Sequence, residues 1–381
     1  MITQKANDIK PFIVMEVLEK AAEMERRGIN VIHLEVGEPD FDVPPCVSEA
    51  VAKAFAEGRT HYTHSLGDPE LREEIAKRYH YIYGVKISPE QIIVTSGSSP
   101  AILLTLGVLC DVDDEVIISD PGYACYQNFI RFLNAKAVKV AVFEEDGFQY
   151  RPSEIERRIT GRTKAIMINS PMNPTGNLLS PEVMKELVKF GIPIISDEIY
   201  HGLVYGERAH SILEFTENAF VLNGFSKLFA MTGLRLGYVI APKHCVRAMQ
   251  KLQQNLFICA GSIEQRAGIA ALQLAGNDVA KMKETYNTRR KYIIERLTQL
   301  GFDIKVPPTG AFYVFVNIKH ISSDSYKLAF DILEKAHVGV TPGIDFGENG
   351  EGYLRFSYAN SIENIEEGMN RLEKYFSKLR K

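Results

Sequence analysis

"KAIMINSPMNPTGNLLSPEVMKELVKFGIPIISDEIY" occupies residues 164–200. It opens with one apolar run, "KAIMIN" (164–169), and closes on another, "IPIISD" (192–197). Both runs are short and apolar at successive positions, the pattern of strands covered on both faces of a parallel sheet. Between them, Ser180 sits at an N-cap position and Pro181 at the first helical position, a helix start that predicts a helix over Pro181–Phe190. The stretch is therefore read as strand, helix, strand.

The same alternation extends in both directions. Further strands are expected at "QIIVTS" (91–96), "DEVIIS" (114–119), "KAVKVAV" (136–142), "AFVLNG" (219–224) and "LRLGYVI" (234–240). Helical patterns fall at 101–110, 126–133 and 153–159. This predicts an α/β domain over 45–275, a mostly parallel sheet flanked by helices. After it comes a long charged helix at about 277–300, then strand candidates "FDIKV" (302–306), "AFYVFVNI" (311–318) and "GYLRFSYA" (352–359), then a helix at about 361–379. Residues 276–381 thus read as a smaller α+β domain. Residues 1–44 are too few to fold alone and are expected to pack on it.

The totals narrow the function classes. The chain has 381 residues, 44 basic and 48 acidic, for a net charge of -4. That balance gives no attraction to nucleic acid or to an anionic membrane. No apolar run reaches the roughly 18 residues of a membrane span, and the N-terminus lacks a signal-peptide core. The five cysteines, at 46, 110, 125, 245 and 259, are scattered and suit a reducing cytoplasm.

In open α/β sheets, ligands gather beyond the carboxyl ends of the strands. The polar residues that follow the apolar runs are Gly97-Ser98-Ser99, Tyr123, Asn173, Asp197 with Tyr200, and Ser226 with Lys227. They form a set of one amine, one carboxylate, one amide, phenols and a phosphate cradle. No metal-ligand spacing is present, and neither a dinucleotide nor a P-loop glycine motif occurs. The set suits a planar, phosphorylated, carbonyl-bearing pyridine.

Six motifs carry a resemblance: "LEVGEPDF" (34–41), "HYTHSLGDPELREEIA" (61–76), "NPTG" (173–176), "SDEIY" (196–200), "SKLFAMTGLRLGY" (226–238) and "YLRFSYA" (353–359). On these the chain resembles the fold-type I, class I/II aminotransferases, the aspartate aminotransferase-like enzymes that use pyridoxal 5′-phosphate. The resemblance implies the pyridoxal-phosphate-dependent transferase fold. It also implies transfer of an amino group from an L-amino acid to a 2-oxo acid, the substrate class being aspartate, alanine, aromatic or broad. A C–S lyase or decarboxylase of the same fold is the alternative, because these motifs fix the cofactor and not the bond that breaks.

Residue roles follow from the same resemblance. Lys227 forms the Schiff base with the cofactor aldehyde and moves the proton. Asp197 faces the pyridinium nitrogen. Asn173 and Tyr200 bond the phenolic oxygen. Ser226, Arg235, Ser98 and Ser99 hold the phosphate; Pro100 beside them donates nothing. Tyr123 stacks on the ring, with Tyr126 as competitor. Arg355 clamps the substrate carboxylate, with Asn173 and the backbone N–H of Gly37. Tyr62 reaches the phosphate of a neighbouring subunit, implying a homodimer with a shared site. The expected partners are small molecules, with no metal, nucleic acid or membrane.

Overall fold

The computed structural model describes residues 2–379. Its strands are β1 (Ile32–His33), β2 (Ile92–Thr95), β3 (Glu115–Asp120), β4 (Lys136–Ala141), β5 (Thr163–Asn169), β6 (Ile194–Asp197), β7 (Ala219–Gly224), β8 (Gly237–Ile240), β9 (Tyr313–Asn317), β10 (Val338–Gly339), β11 (Thr341–Pro342) and β12 (Tyr353–Ser357). Seven of them form one sheet in the order β2-β8-β7-β6-β5-β3-β4. Only β8 runs antiparallel to its neighbours; the other pairings are parallel.

Successive residues of the central strands enter different cores. Ile166 and Ile168 of β5 join one apolar cluster, while Ala165 and Met167 join the other. Both faces are therefore covered, as the unbroken apolar runs require. Each of the isoleucine and methionine side chains taken fully out of water contributes about 1.5–3 kcal/mol. The helix after β5 begins at Pro181, with Ser180 Oγ accepting from Val183 N at 3.2 Å, and ends at Val188.

The parallel arrangement places the ends of β2, β5, β6 and β7 on one side. Asn169 of β5 lies in register with Asp197 of β6, and Asp197 with Leu222 of β7. Ser226 and Lys227 follow directly after β7.

The C-terminal half contributes the helix Gly276–Gln299, an antiparallel sheet β11-β12-β9, and the helix Ile362–Leu379. Strand β1 pairs in parallel with β10, so the segment near residue 32 docks on this part of the chain. Arg355, in the middle of β12, lies opposite Thr341 on one side and Phe315 on the other.

Three sequence expectations change. "FDIKV" is not a strand: Phe302 is buried against Phe376, with ring centroids 5.3 Å apart, and Pro307-Pro308 follow with no N–H to extend a ladder. The strand expected at 234–240 starts only at Gly237, because Arg235 has φ +51 and breaks the extended backbone. The helix expected at 153–159 spans Pro152–Glu156.

Candidate active site

Beyond the strand ends lies a cavity of about 370 Å³. Its lining includes Gly37, Ser98, Ser99, Tyr123, Asn173, Asp197, Tyr200, Ser226, Lys227, Arg235 and Arg355. Every site residue expected from the sequence is thus brought together except Tyr62. That tyrosine is 81% exposed and lies off the cavity.

Lys227 sits at the head of a strained loop. Ala230 and Arg235 both hold positive φ, +53 and +51. Such conformations cost a side-chain-bearing residue about 1–3 kcal/mol and persist where the surroundings impose them. Lys227 Nζ donates to the Gly37 carbonyl at 2.5 Å. Gly37 therefore meets the site through its oxygen in this structure, where the sequence suggested its N–H. A side chain at Gly37 would put its Cβ 2.4 Å from Tyr313 Oη. Burial lowers the Lys227 ammonium to about 8; Glu38 opposes the fall, and Arg355 and Arg235 add to it. Glu38 is itself held by the hydroxyl of Thr232, in the same loop as Lys227.

Asp197 closes β6 and is buried. Its Oδ2 accepts from Tyr126 Oη at 2.6 Å and its Oδ1 from Ile199 N at 3.1 Å. Burial pushes its carboxyl up to about 6, against the pull of those two donors and of Lys227. Tyr126 is therefore committed to Asp197. Tyr123 meets it edge-on, with centroids 5.1 Å apart, and lines the cavity alongside it. Next to Asp197, Asn169 Nδ2 donates to the Asp197 carbonyl at 3.0 Å, and Asn169 Oδ1 accepts from Asn173 N at 2.8 Å.

Arg355 is 2% exposed, and among the described residues no carboxylate is hydrogen-bonded to it, Asp345 acting on it only through space. Its guanidinium donates to Asn173 Oδ1 at 2.9 Å, to Thr341 Oγ1 at 3.1 Å and to the Glu35 carbonyl. Its Nε has no partner among the described residues. The Tyr313 ring centroid lies 4.4 Å from its guanidinium carbon and the Phe346 centroid 5.0 Å away. A buried cation without an anion is poised to take one.

The same cavity also holds a cradle. Gly97, at φ +95, caps the helix Ser98–Leu109 with no side-chain bond. A Cβ on Gly97 would lie 2.5 Å from the Arg235 guanidinium. One on Gly237 would lie 2.8 Å from Ser98 N. Free backbone N–H groups, two serines and an arginine meet there, the donor set a phosphate takes.

Sequence reasoning missed several lining residues. Asn169 had a signal, since it ends the run "KAIMIN". Tyr313, whose hydroxyl lies 2.8 Å from that of Tyr200, had none, being one aromatic within an apolar strand. Phe12, Val14, Met15 and Leu18 line the cavity from the helix Ile13–Arg26 and its approach.

Residues 29–372 match the family model described as aminotransferase class I and II. The chain belongs to this family. Among its relatives, (5-formylfuran-3-yl)methyl phosphate transaminase of Methanocaldococcus jannaschii is 42% identical, covering 99% of this chain and 100% of that one. Aspartate aminotransferase of Pyrococcus horikoshii is 41% identical, covering 98% and 96%. The solved aspartate aminotransferase of Thermus thermophilus, a double mutant, superposes with a TM-score of 0.94 at 37% identity, covering 98% and 99%. This aminotransferase accordingly moves amino groups and depends on pyridoxal 5′-phosphate, as the family does. Those findings favour transfer over the lyase and decarboxylase alternatives. The site fits the cofactor: it offers a cradle of donors at one end, a buried carboxylate at the sheet and a lysine amine of lowered pKa between them.

Proposed function

We propose that Lys227, Asp197 and Arg355 carry out transamination between an L-amino acid and a 2-oxo acid in this cavity. One observation carries the reading: a lysine amine lowered to about 8, a buried carboxylate and a buried arginine with no carboxylate hydrogen-bonded to it among the described residues line the same space.

The chemistry that bound pyridoxal phosphate supplies is an aldehyde carbon that condenses with amines, and a ring that takes up the electron pair left at the substrate α-carbon. Lys227 Nζ provides the resident amine. It is half neutral near pH 8, and once displaced it can accept a proton and return it. Asp197, oriented by Tyr126 and Ile199 N, holds positive charge opposite it. Ser98, Ser99, Ser226 and Arg235 would hold the phosphate. Asn173 and Tyr200 would bond the phenolic oxygen, and Tyr123 would cover the ring. Arg355 takes the substrate carboxylate, supported by Asn173, with Gly37 nearby. Fixing both ends makes the proton transfer effectively intramolecular.

Tyr62 belongs to a second role. Its exposure supports a homodimer in which it reaches the partner's cradle. The five unpaired cysteines support a cytoplasmic location. Among the described residues no helix is long and apolar enough to cross a membrane. The pairing of β1 with β10, and the helix beginning at Gly276, support the division into 1–44, 45–275 and 276–381.

The test is borohydride reduction of the purified enzyme followed by mass measurement. Wild type should gain the mass of the reduced cofactor and Lys227→Ala should not. Equal, unmodified masses in both would refute the assignment of Lys227.

A further inference from the structure

The helix Ile13–Arg26 brings Val14, Met15 and Leu18 to the cavity wall. Phe12, at its N-cap, has no side-chain acceptor for the free N–H groups. Asp345 serves instead from far along the chain. Its Oδ1 accepts from Ile13 N at 2.9 Å and its Oδ2 from Val14 N at 3.3 Å. Asp345 lies in the turn Gly343–Phe346, whose Phe346 ring flanks Arg355.

The other end of the helix is tied as well. Glu25 Oε1 lies 3.2 Å from His33 Nε2, and Glu35 Oε1 lies 2.6 Å from His33 Nδ1. Both ring nitrogens face carboxylates, so the ring bonds both only as the imidazolium. Glu35 is fully buried, and its carbonyl accepts from Arg355 and from Thr341 Oγ1. Both ends of the helix are thus fastened to the elements that hold Arg355.

We propose that Asp345 and His33 are positioning residues that lock this helix at both ends, so that Val14, Met15 and Leu18 stay packed on the side chain of an amino acid bound at Arg355. The proposal rests on the placement of the substrate carboxylate given above.

The locks titrate in opposite directions. Asp345 faces Glu16 of the helix, Arg355 of β12 and Cys125, besides the two N–H groups. Burial raises its carboxyl to about 6, so its lock weakens as pH falls through 6. His33 faces Glu35 and Glu25; the Glu35 hydrogen bond leads in raising it to about 9, so its lock is lost as pH rises through 9.

The experiment uses holoenzyme of wild type, Asp345→Ala, Asp345→Asn and His33→Gln, each with an unchanged visible band. Hydrogen exchange should quicken about tenfold at residues 13–17 in Asp345→Ala, less in Asp345→Asn, and at the last turn in His33→Gln. With leucine and alanine as donors, the leucine-to-alanine ratio of kcat/KM should fall about tenfold in Asp345→Ala and in His33→Gln, through KM. In wild type the ratio should drop below pH 6 and above pH 9; Asp345→Ala should lose the acid limb and His33→Gln the alkaline one. Unchanged exchange, equal losses for both donors, or no leucine binding by wild type overturns the proposal. If Arg355→Gln leaves both KM values unchanged, the carboxylate placement fails and the proposal falls with it, even where helix exchange responds.

Discussion

Tyr126 Oη donates to Asp197 Oδ2 at 2.6 Å, joining the helix Tyr126–Phe132 to the end of β6. Without that donor, a buried carboxylate keeps only Ile199 N as a direct hydrogen-bond donor. Hydrogen bonds to charged groups contribute about 1.5–3 kcal/mol. Tyr126→Phe should therefore weaken pyridoxal phosphate binding about 10- to 100-fold, read by titrating the visible band of apoenzyme. The sign in pH follows from the same bond. Asp197 is raised to about 6 by burial, and Tyr126 opposes the rise. Cofactor affinity should fall as pH drops through about 6 in wild type, and at a higher pH in the variant.

Lys227 makes a prediction of opposite slope. Its ammonium is lowered to about 8, so the neutral, reactive amine accumulates as pH rises through 8. The rate at which apoenzyme captures pyridoxal phosphate should climb about tenfold per pH unit below 8 and level off above it. A stopped-flow series from pH 6 to 9.5 measures this. A profile that is still rising steeply at pH 9.5 would mean an ordinary, solvated lysine.

The reach of the sequence can be judged from particular residues. Apolar residues on both faces of 164–169 and 192–197 were legible because a doubly buried strand tolerates little else. Asp197 and Lys227 were legible because each follows such a strand directly. Arg235 was legible as a residue of the cavity, yet its left-handed backbone was not, and that conformation shortened β8. The helix Ile13–Arg26 escaped as a wall of the site because Asp345, which holds its first turn, lies more than 300 residues further along the chain. Tyr313 escaped for a different reason: on an apolar strand, one hydroxyl carries no sign of what it will face.

The proposed role of Arg355 can be tested apart from cofactor binding. Its guanidinium donates to Asn173, Thr341 and the Glu35 carbonyl, and among the described residues no carboxylate is hydrogen-bonded to it. Lysine keeps the charge and loses the planar fork. Arg355→Lys should raise KM for the amino acid about 10- to 100-fold, the worth of one charged hydrogen bond. Cofactor affinity, read by titrating the visible band, should change far less, because Arg355 hydrogen-bonds Asn173, Thr341 and the Glu35 carbonyl and none of the cradle's serines. An equal loss of cofactor and substrate affinity would place the arginine elsewhere in the mechanism.

Two glycines with positive φ test the cradle against plain backbone strain. At Gly97, φ is +95 and an added Cβ would meet the Arg235 guanidinium at 2.5 Å. At Gly191, φ is +69 and nothing lies within 4 Å of the added atom. Both alanine variants share the conformational penalty of about 1 kcal/mol or more, and both should melt at lower temperature. Only Gly97→Ala must also displace Arg235 from beside the first turn of the helix Ser98–Leu109. It should therefore weaken pyridoxal phosphate binding about 10- to 100-fold beyond the effect of Gly191→Ala, the loss expected for one charged contact. Pyridoxal, which lacks the phosphate, should bind both variants alike. If Gly97→Ala weakens pyridoxal as much as pyridoxal phosphate, the glycine serves the ring and not the cradle.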